Sequence, residues 1–156
     1  RLPYEMGLIK NRYVARTFIQ PTQELRDRGV RMKLSAIRSI VENKRIVLID
    51  DSIVRGTTSK RIVRLLKEAG ALEVHMRIAS PMICSPCFYG VDTSTKEELI
   101  ASRMSVDELK EYIQADSLKF LNVEDLCKIK GGTGLCTACF DKQYPTELYS
   151  YKKIVE

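Results

Sequence analysis

The sequence predicts an α/β fold, a parallel sheet flanked by helices, and three neighbouring segments carry that expectation. Ile46, Val47, Leu48 and Ile49 form an apolar run of strand length, followed by a polar loop from Asp50 to Thr58. Ile62, Leu65 and Leu66 then recur at helical spacing before Gly70, a residue suited to the left-handed turn that ends helices. Val74, Met76 and Ile78 alternate with Glu73, His75 and Arg77, the period of a second strand. Strand, helix and strand of these lengths make a βαβ unit, whose crossover is right-handed and whose strands run parallel.

Taken from the beginning, residues 1 to 33 carry Pro3, Gly7, Pro21 and Gly29 among scattered charges. They predict a long loop around one short strand from Arg12 to Ile19, where β-branched and aromatic residues gather. Leu34, Ile37, Ile40 and Val41 share one helical face ahead of Asn43 and Lys44, which predicts a helix over 34 to 41. Beyond the βαβ unit, Ser80 to Tyr89 holds two prolines and two cysteines and excludes regular structure. Ser94-x-x-Glu97 and Ser105-x-x-Glu108 have the spacing of capping boxes that open short helices. Leu118 to Leu121 predicts a further strand, and Asn122 caps a helix over Val123 to Ile129. Gly131, Gly132 and Gly134 then loosen the chain before Cys136. Two parts are expected, a main domain over 1 to 121 and a cysteine-bearing carboxyl-terminal extension over 122 to 156.

With 156 residues, 44% hydrophobic and 29% charged, the composition is that of a soluble globular protein able to bury a core without disulfides. No apolar run approaches the length that crosses a bilayer, which sets membrane partners aside. The chain opens Arg1-Leu2-Pro3, without initiator methionine or apolar leader, and is expected to be a piece of a longer protein. Residues 1 to 45 hold 11 of the 26 Lys and Arg but only 4 of the 20 Asp and Glu. A basic third of this kind fits a polyanion, either nucleic acid or a small polyphosphate, or a solvated face. No helix-turn-helix signal or aromatic stacking platform supports nucleic acid. Five cysteines without a secretory leader, four of them in Cys84-x-x-Cys87 and Cys136-x-x-Cys139, point to a reducing, cytoplasmic setting and to zinc or an iron-sulfur cluster. The 48 residues between the pairs exceed the span of a compact zinc ribbon. Cys127, among Val123, Leu126 and Ile129, is expected as a small core residue. His75, the single histidine, is expected to be structural or exposed.

The polar loop after the first apolar run carries the chemistry. Ligands of open α/β sheets bind beyond the carboxyl ends of the strands, and a helix amino terminus offers unpaired N–H groups and a favourable dipole to phosphate. Asp50 and Asp51 sit at that strand end, able to accept from vicinal sugar hydroxyls or to ligate magnesium. Ser52, Arg55, Thr57, Thr58 and Ser59 supply donors, and Gly56 lets the backbone approach the ligand closely.

The stretch Asp50-Asp-Ser-Ile-Val-Arg-Gly-Thr-Thr-Ser59 resembles the signature of type I phosphoribosyltransferases, in the form found in glutamine phosphoribosylpyrophosphate amidotransferases. Lys10-Asn-Arg-Tyr-Val-Ala-Arg-Thr-Phe-Ile-Gln-Pro21 and Arg31-Met-Lys-Leu34 resemble that family's flexible active-site loop, with Ala15 where glycine is expected. Cys87-Phe-Tyr-Gly-Val-Asp, Glu97-Glu-Leu-Ile-Ala, Cys136-Thr-Ala-Cys139 and Tyr144-Pro-Thr-Glu147 match as well.

The resemblance implies a type I phosphoribosyltransferase-like sheet and transfer of glutamine-derived ammonia to C1 of phosphoribosylpyrophosphate, the first step of purine nucleotide synthesis. Glutamine is hydrolysed in an amino-terminal domain outside this chain. By the same resemblance Asp50 and Asp51 are expected to hold magnesium and the ribose hydroxyls, and Arg55 to Ser59 the 5′-phosphate. Lys10, Arg12, Arg16, Arg31 and Lys33 form the pyrophosphate clamp. The resemblance also implies a [4Fe-4S] cluster ligated by Cys87, Cys136 and Cys139 with a fourth ligand upstream, and Cys84, without a counterpart in the family, is expected as an unligated thiol or a substitute fourth ligand. Purine nucleotides are the expected inhibitors and a homo-oligomer the expected assembly. The rival readings are a salvage-type phosphoribosyltransferase, or a relative joined to a zinc site, and a non-catalytic regulator that senses a phosphoribosyl ligand; bound iron argues against the first pair.

Overall fold

The computed structural model describes residues 2–10, 34–91, 93, 95–129, 131 and 134–149. Its centre is a sheet of three parallel strands: β3 (Arg45–Asp50), β4 (Glu73–Ile78) and β5 (Ser117–Phe120), ordered β3-β4-β5. Ile46 stands beside Val74, and Met76 beside Leu118. Helix α2 (Thr57–Glu68) connects β3 to β4, and α3 (Val106–Ile113) lies between β4 and β5, so two βαβ units follow one another. The alternation along β4 is realised, with Val74, Met76 and Ile78 buried between half-exposed Glu73, His75 and Arg77. The core forms where the two helices pack on the sheet: Val63, Leu66, Val74, Met76, Leu109 and Ile113 are each 1% exposed or less. At about 25 cal/mol per Å² of buried apolar surface, side chains of this size stabilise by roughly 1.5–3 kcal/mol each. The face of α2 turned inward centres on Ser59, Val63 and Leu66, with Ile62 half-buried against the same core.

The expected helix over 34 to 41 is a correction. Residues Leu34–Ala36 form β2, paired antiparallel with β1 (Leu8–Lys10), and only α1 (Arg38–Val41) is helical. The N–H of Ile37 donates to Gly7 O at 2.9 Å, so strand pairing takes the backbone groups that a longer helix needs. Helical spacing of the apolar residues there serves only the last turn, where Val41 is buried. Three-residue β1 has no periodic signal, and the expected strand from Arg12 to Ile19 lies outside the described residues.

The two expected capping boxes part ways. At α3 the Ser105 hydroxyl accepts from Glu108 N–H at 3.3 Å, and Glu108 Oε2 accepts from Ser105 N–H at 2.7 Å. In the other segment Ser94 lies outside the described residues, and those that follow form two 3₁₀ turns, Lys96–Glu98 and Ile100–Ser102. Leu99 and Ile100 are both buried, at 0% and 3% exposure, and the Ile100 N–H donates to Val54 O at 2.9 Å, leaving helical register to reach it. Downstream, Asn122 Oδ1 accepts from Asp125 N–H at 2.7 Å and caps α4 (Val123–Ile129), as expected. That helix buries none of its residues fully, so Cys127 is half-buried and not the core residue expected. Residues 79–95 contain no regular element among those described, and a short α5 (Ala138–Asp141) follows Cys136. No helix among the described residues is long and apolar enough to cross a membrane.

Candidate functional site

The loop from Asp51 to Gly56 joins the carboxyl end of β3 to the first turn of α2. Asp50 is half-buried at the strand end, and its Oδ1 accepts from the Asp51 N–H at 3.1 Å. Burial pushes the Asp50 carboxyl above its usual range, against the bond from the Asp51 N–H, and the neighbouring Asp51 carboxylate adds to the rise. Asp51 is exposed, with Oδ1 accepting from Ser52 N–H at 2.7 Å. Each carboxylate is thus oriented by one backbone donor and keeps a second oxygen for a ligand.

Gly56 occupies the position before α2 with φ 73°, in the left-handed region, and among the described residues no side chain caps the helix start. The amino-terminal N–H groups of a twelve-residue helix are therefore left to a ligand, whereas the start of α3 is closed by Ser105 and Glu108. Thr57 and Thr58 are exposed beside those N–H groups. Ser59 is 2% exposed and turned into the core, so the hydroxyls available at this surface are those of the two threonines. Arg55 is exposed and paired with Glu98 at 2.7 Å. Arg55, Thr57, Glu97, Glu98, Arg103 and Tyr112 are among the residues lining a cavity of about 420 Å³ beside the loop. Glu98 carries no signal of its own in the sequence beyond its place in the Glu97-Glu-Leu-Ile-Ala run.

Of the five expected pyrophosphate contacts, Lys10 is exposed at the end of β1, and Arg12, Arg16, Arg31 and Lys33 lie outside the described residues. His75 is structural, as expected: its ring nitrogens meet Ser117 Oγ at 2.9 Å and Glu73 Oε2 at 2.8 Å.

The two cysteine loops lie against each other. The N–H groups of Cys84 and Ser85 both donate to Cys139 O at 3.0 Å, and the Cys84 thiol donates to Phe140 O at 2.9 Å. Cys87 is fixed by its N–H to Thr93 O at 3.0 Å, and its sulfur accepts from Tyr89 N–H at 3.4 Å. Tyr144 closes over this loop, donating to Pro86 O at 2.7 Å and stacking obliquely on Phe88 at 5.4 Å, while Tyr89 reaches Thr146 at 2.9 Å. The Cys139 thiol is pushed up to about 11 by burial and then by Cys87, Cys136 and Cys84 nearby. Cys136 is exposed. Among the described residues no three Cys, His, Asp or Glu side chains are gathered closely enough to hold a metal ion. The donor chemistry, soft sulfurs on two loops held together by backbone bonds, still fits an iron-sulfur cluster better than a hard cation.

No family model matches the chain. It is 64% identical over 154 residues to the amidophosphoribosyltransferase of Bacillus subtilis, covering 95% of this chain and 32% of that protein. The chain is similar to amidophosphoribosyltransferases. The Staphylococcus aureus amidophosphoribosyltransferase is 57% identical over 157 residues, 97% of this chain and again 32% of the relative. A solved structure of glutamine phosphoribosylpyrophosphate amidotransferase from B. subtilis, complexed with ADP and GMP, superposes with a TM-score of 0.84 at 62% identity. It covers 99% of this chain and 35% of that one. This chain thus spans about a third of the length of the amidophosphoribosyltransferases it matches. Its parallel three-stranded sheet flanked by helices is the phosphoribosyltransferase fold of those amidotransferase structures.

Proposed function

We propose that the protein containing this segment transfers ammonia, derived from glutamine, to C1 of phosphoribosylpyrophosphate, giving 5-phosphoribosylamine and pyrophosphate at the start of purine synthesis. The supporting observation is the amino terminus of α2, left without a side-chain cap behind Gly56 and directly after the Asp50–Asp51 pair. It lies in a chain that matches amidophosphoribosyltransferases over 95% of its length.

In this reading the 5′-phosphate accepts from the first-turn N–H groups of α2 and from Thr57 and Thr58, favoured by the helix dipole. Asp50 and Asp51 accept from the ribose hydroxyls and would hold a magnesium ion, whose charge would offset that of the pyrophosphate. Lys10, Arg12, Arg16, Arg31 and Lys33 supply positive charge to the departing pyrophosphate. The C1–O bond breaks with its electron pair leaving on pyrophosphate, the ammonia nitrogen forms the new bond to C1, and a proton passes from nitrogen to solvent. Positioning and charge are what this transfer requires of the protein; no covalent intermediate is needed.

Residues 122–156 serve in this reading as an extension that the cysteine loop fastens to the main domain. Cys87, Cys136 and Cys139 hold a [4Fe-4S] cluster with a ligand from elsewhere in the intact protein, and the role is structural because the transfer moves no electron. Purine nucleotides act as inhibitors in this reading, in keeping with the ADP and GMP bound in the B. subtilis structure, and the intact protein is a homo-oligomer.

The test is turnover in the full-length protein, with ammonium chloride in place of glutamine, phosphoribosylpyrophosphate and magnesium, following pyrophosphate release. No ammonia-dependent release, or release that requires a nucleobase instead, overturns the reading in favour of a salvage enzyme or a regulator.

A further inference from the structure

We infer that Glu98 is a positioning residue for the phosphate loop, holding Arg55 at the mouth of the 5′-phosphate cradle. The inference rests on the phosphoribosyl reading above and adds a residue that reading does not use.

Three contacts fasten the segment Lys96–Ser102 onto the loop. Glu98 Oε1 accepts from Arg55 Nη2 at 2.7 Å, Ile100 N–H donates to Val54 O at 2.9 Å, and Ile100 Cδ1 fills the space beside Gly56. Two of these are backbone and packing contacts, and they fix where the loop runs. The third acts on a side chain. A guanidinium is a planar fork of five N–H donors on a long flexible stem, and a carboxylate on one edge selects one rotamer while leaving the other donors free for a phosphate. Arg55 and Glu98 are 52% and 39% exposed, so the pair is screened by water and contributes little to stability. Its consequence is orientation. Both residues line the same cavity as Thr57, which is exposed in the first turn of α2.

The experiment uses the full-length protein and the variants Glu98→Gln, Glu98→Ala and Glu98→Asp. Three quantities are measured: KM for phosphoribosylpyrophosphate against kcat with ammonium chloride, calorimetric affinity for ribose 5-phosphate and for inorganic pyrophosphate, and Tm. Glu98→Gln and Glu98→Ala are expected to raise KM and weaken ribose 5-phosphate about tenfold, equivalent to about 1.4 kcal/mol. Pyrophosphate affinity and Tm should stay at wild-type values, kcat should fall less than KM rises, and Glu98→Asp should recover part of the loss. Unchanged ribose 5-phosphate affinity in Glu98→Gln overturns the inference, as does a parallel loss of both ligands with a lowered Tm, which would make Glu98 structural. A wild-type protein that binds neither ligand overturns the phosphoribosyl reading itself, an outcome distinct from wild-type binding that the variants leave intact.

Discussion

A Cβ added to Gly56 would lie 2.9 Å from Cδ1 of Ile100, with Tyr112 Cε1 at 3.3 Å and Leu109 Cδ1 at 3.5 Å. The glycine is therefore required by packing as well as by its φ of 73°. Gly56→Ala should destabilise the protein by about 1–3 kcal/mol, the sum of left-handed strain and a methyl forced into filled space. It should also weaken phosphoribosylpyrophosphate binding, because relief comes by moving the first turn of α2. Urea unfolding and ligand titration check both, and a variant as stable as wild type would mean that neither the backbone conformation nor the packing at Gly56 requires glycine.

The acidic pair makes an opposite prediction about stability. Asp50 has its folded-state pKa raised, chiefly by burial, so its contribution to stability is present below its unfolded value near 3.8 and lost as pH rises through the raised value. At neutral pH the ionised carboxylate weighs against folding. Asp50→Asn with Asp51→Asn keeps oxygens for the Asp51 and Ser52 N–H groups. The double variant should lose at least about a hundredfold in turnover while its Tm at pH 7 equals or exceeds that of wild type, an advantage that vanishes near pH 3. A lowered Tm at pH 7 would assign the pair a structural role instead.

Ser105→Ala separates fold from site. It removes the capping box of α3 and should cost about 1 kcal/mol at neutral pH without altering KM for phosphoribosylpyrophosphate. The bonds from Ser105 N–H and hydroxyl lower the Glu108 pKa, so the box stabilises above Glu108's ordinary value of 4.5 and fades as pH falls through the lowered one. The Tm difference between wild type and Ser105→Ala should therefore shrink on acidification, which thermal melts at pH 7 and pH 3 would measure.

The residues explain which parts of this were readable in the chain. The βαβ unit was legible because β3, α2 and β4 each carry their own period, and α3 because Ser105 and Glu108 close a local loop of hydrogen bonds. Strand β2 was not, since Leu34 to Val41 has helical spacing and only the distant Leu8–Lys10 pairing converts its first half. The phosphate loop was legible as a motif, but the burial of Ser59 depends on how α2 rolls against the sheet, and the Arg55–Glu98 pair joins residues 43 apart. Chain periodicity carries no signal for such a contact. The cysteine spacing showed two pairs; that Cys84 spends its thiol on Phe140 O emerges only from the docking of the tail.

That bond leads to the last prediction. The Cys84 thiol already has a partner in the Phe140 carbonyl, 2.9 Å away. Cys139, whose thiol burial lifts to about 11 against an ordinary 9.0, holds about a hundredfold less thiolate at neutral pH than a peptide cysteine. In metal-free protein it should alkylate about a hundredfold more slowly than the same residue after unfolding in urea. A cluster reverses that state, because iron binds the thiolate and releases the proton. In full-length protein purified without oxygen, Cys87→Ser, Cys136→Ser and Cys139→Ser should each lose iron and lower Tm together. Cys127→Ser should keep its iron, since Cys127 sits on α4, outside both CxxC pairs. Cys84→Ser should also keep it, because a serine hydroxyl can make the same bond to Phe140 O. Iron loss in Cys84→Ser as complete as in Cys87→Ser would show that Cys84 trades its hydrogen bond for the metal, and that the fourth ligand lies within this chain.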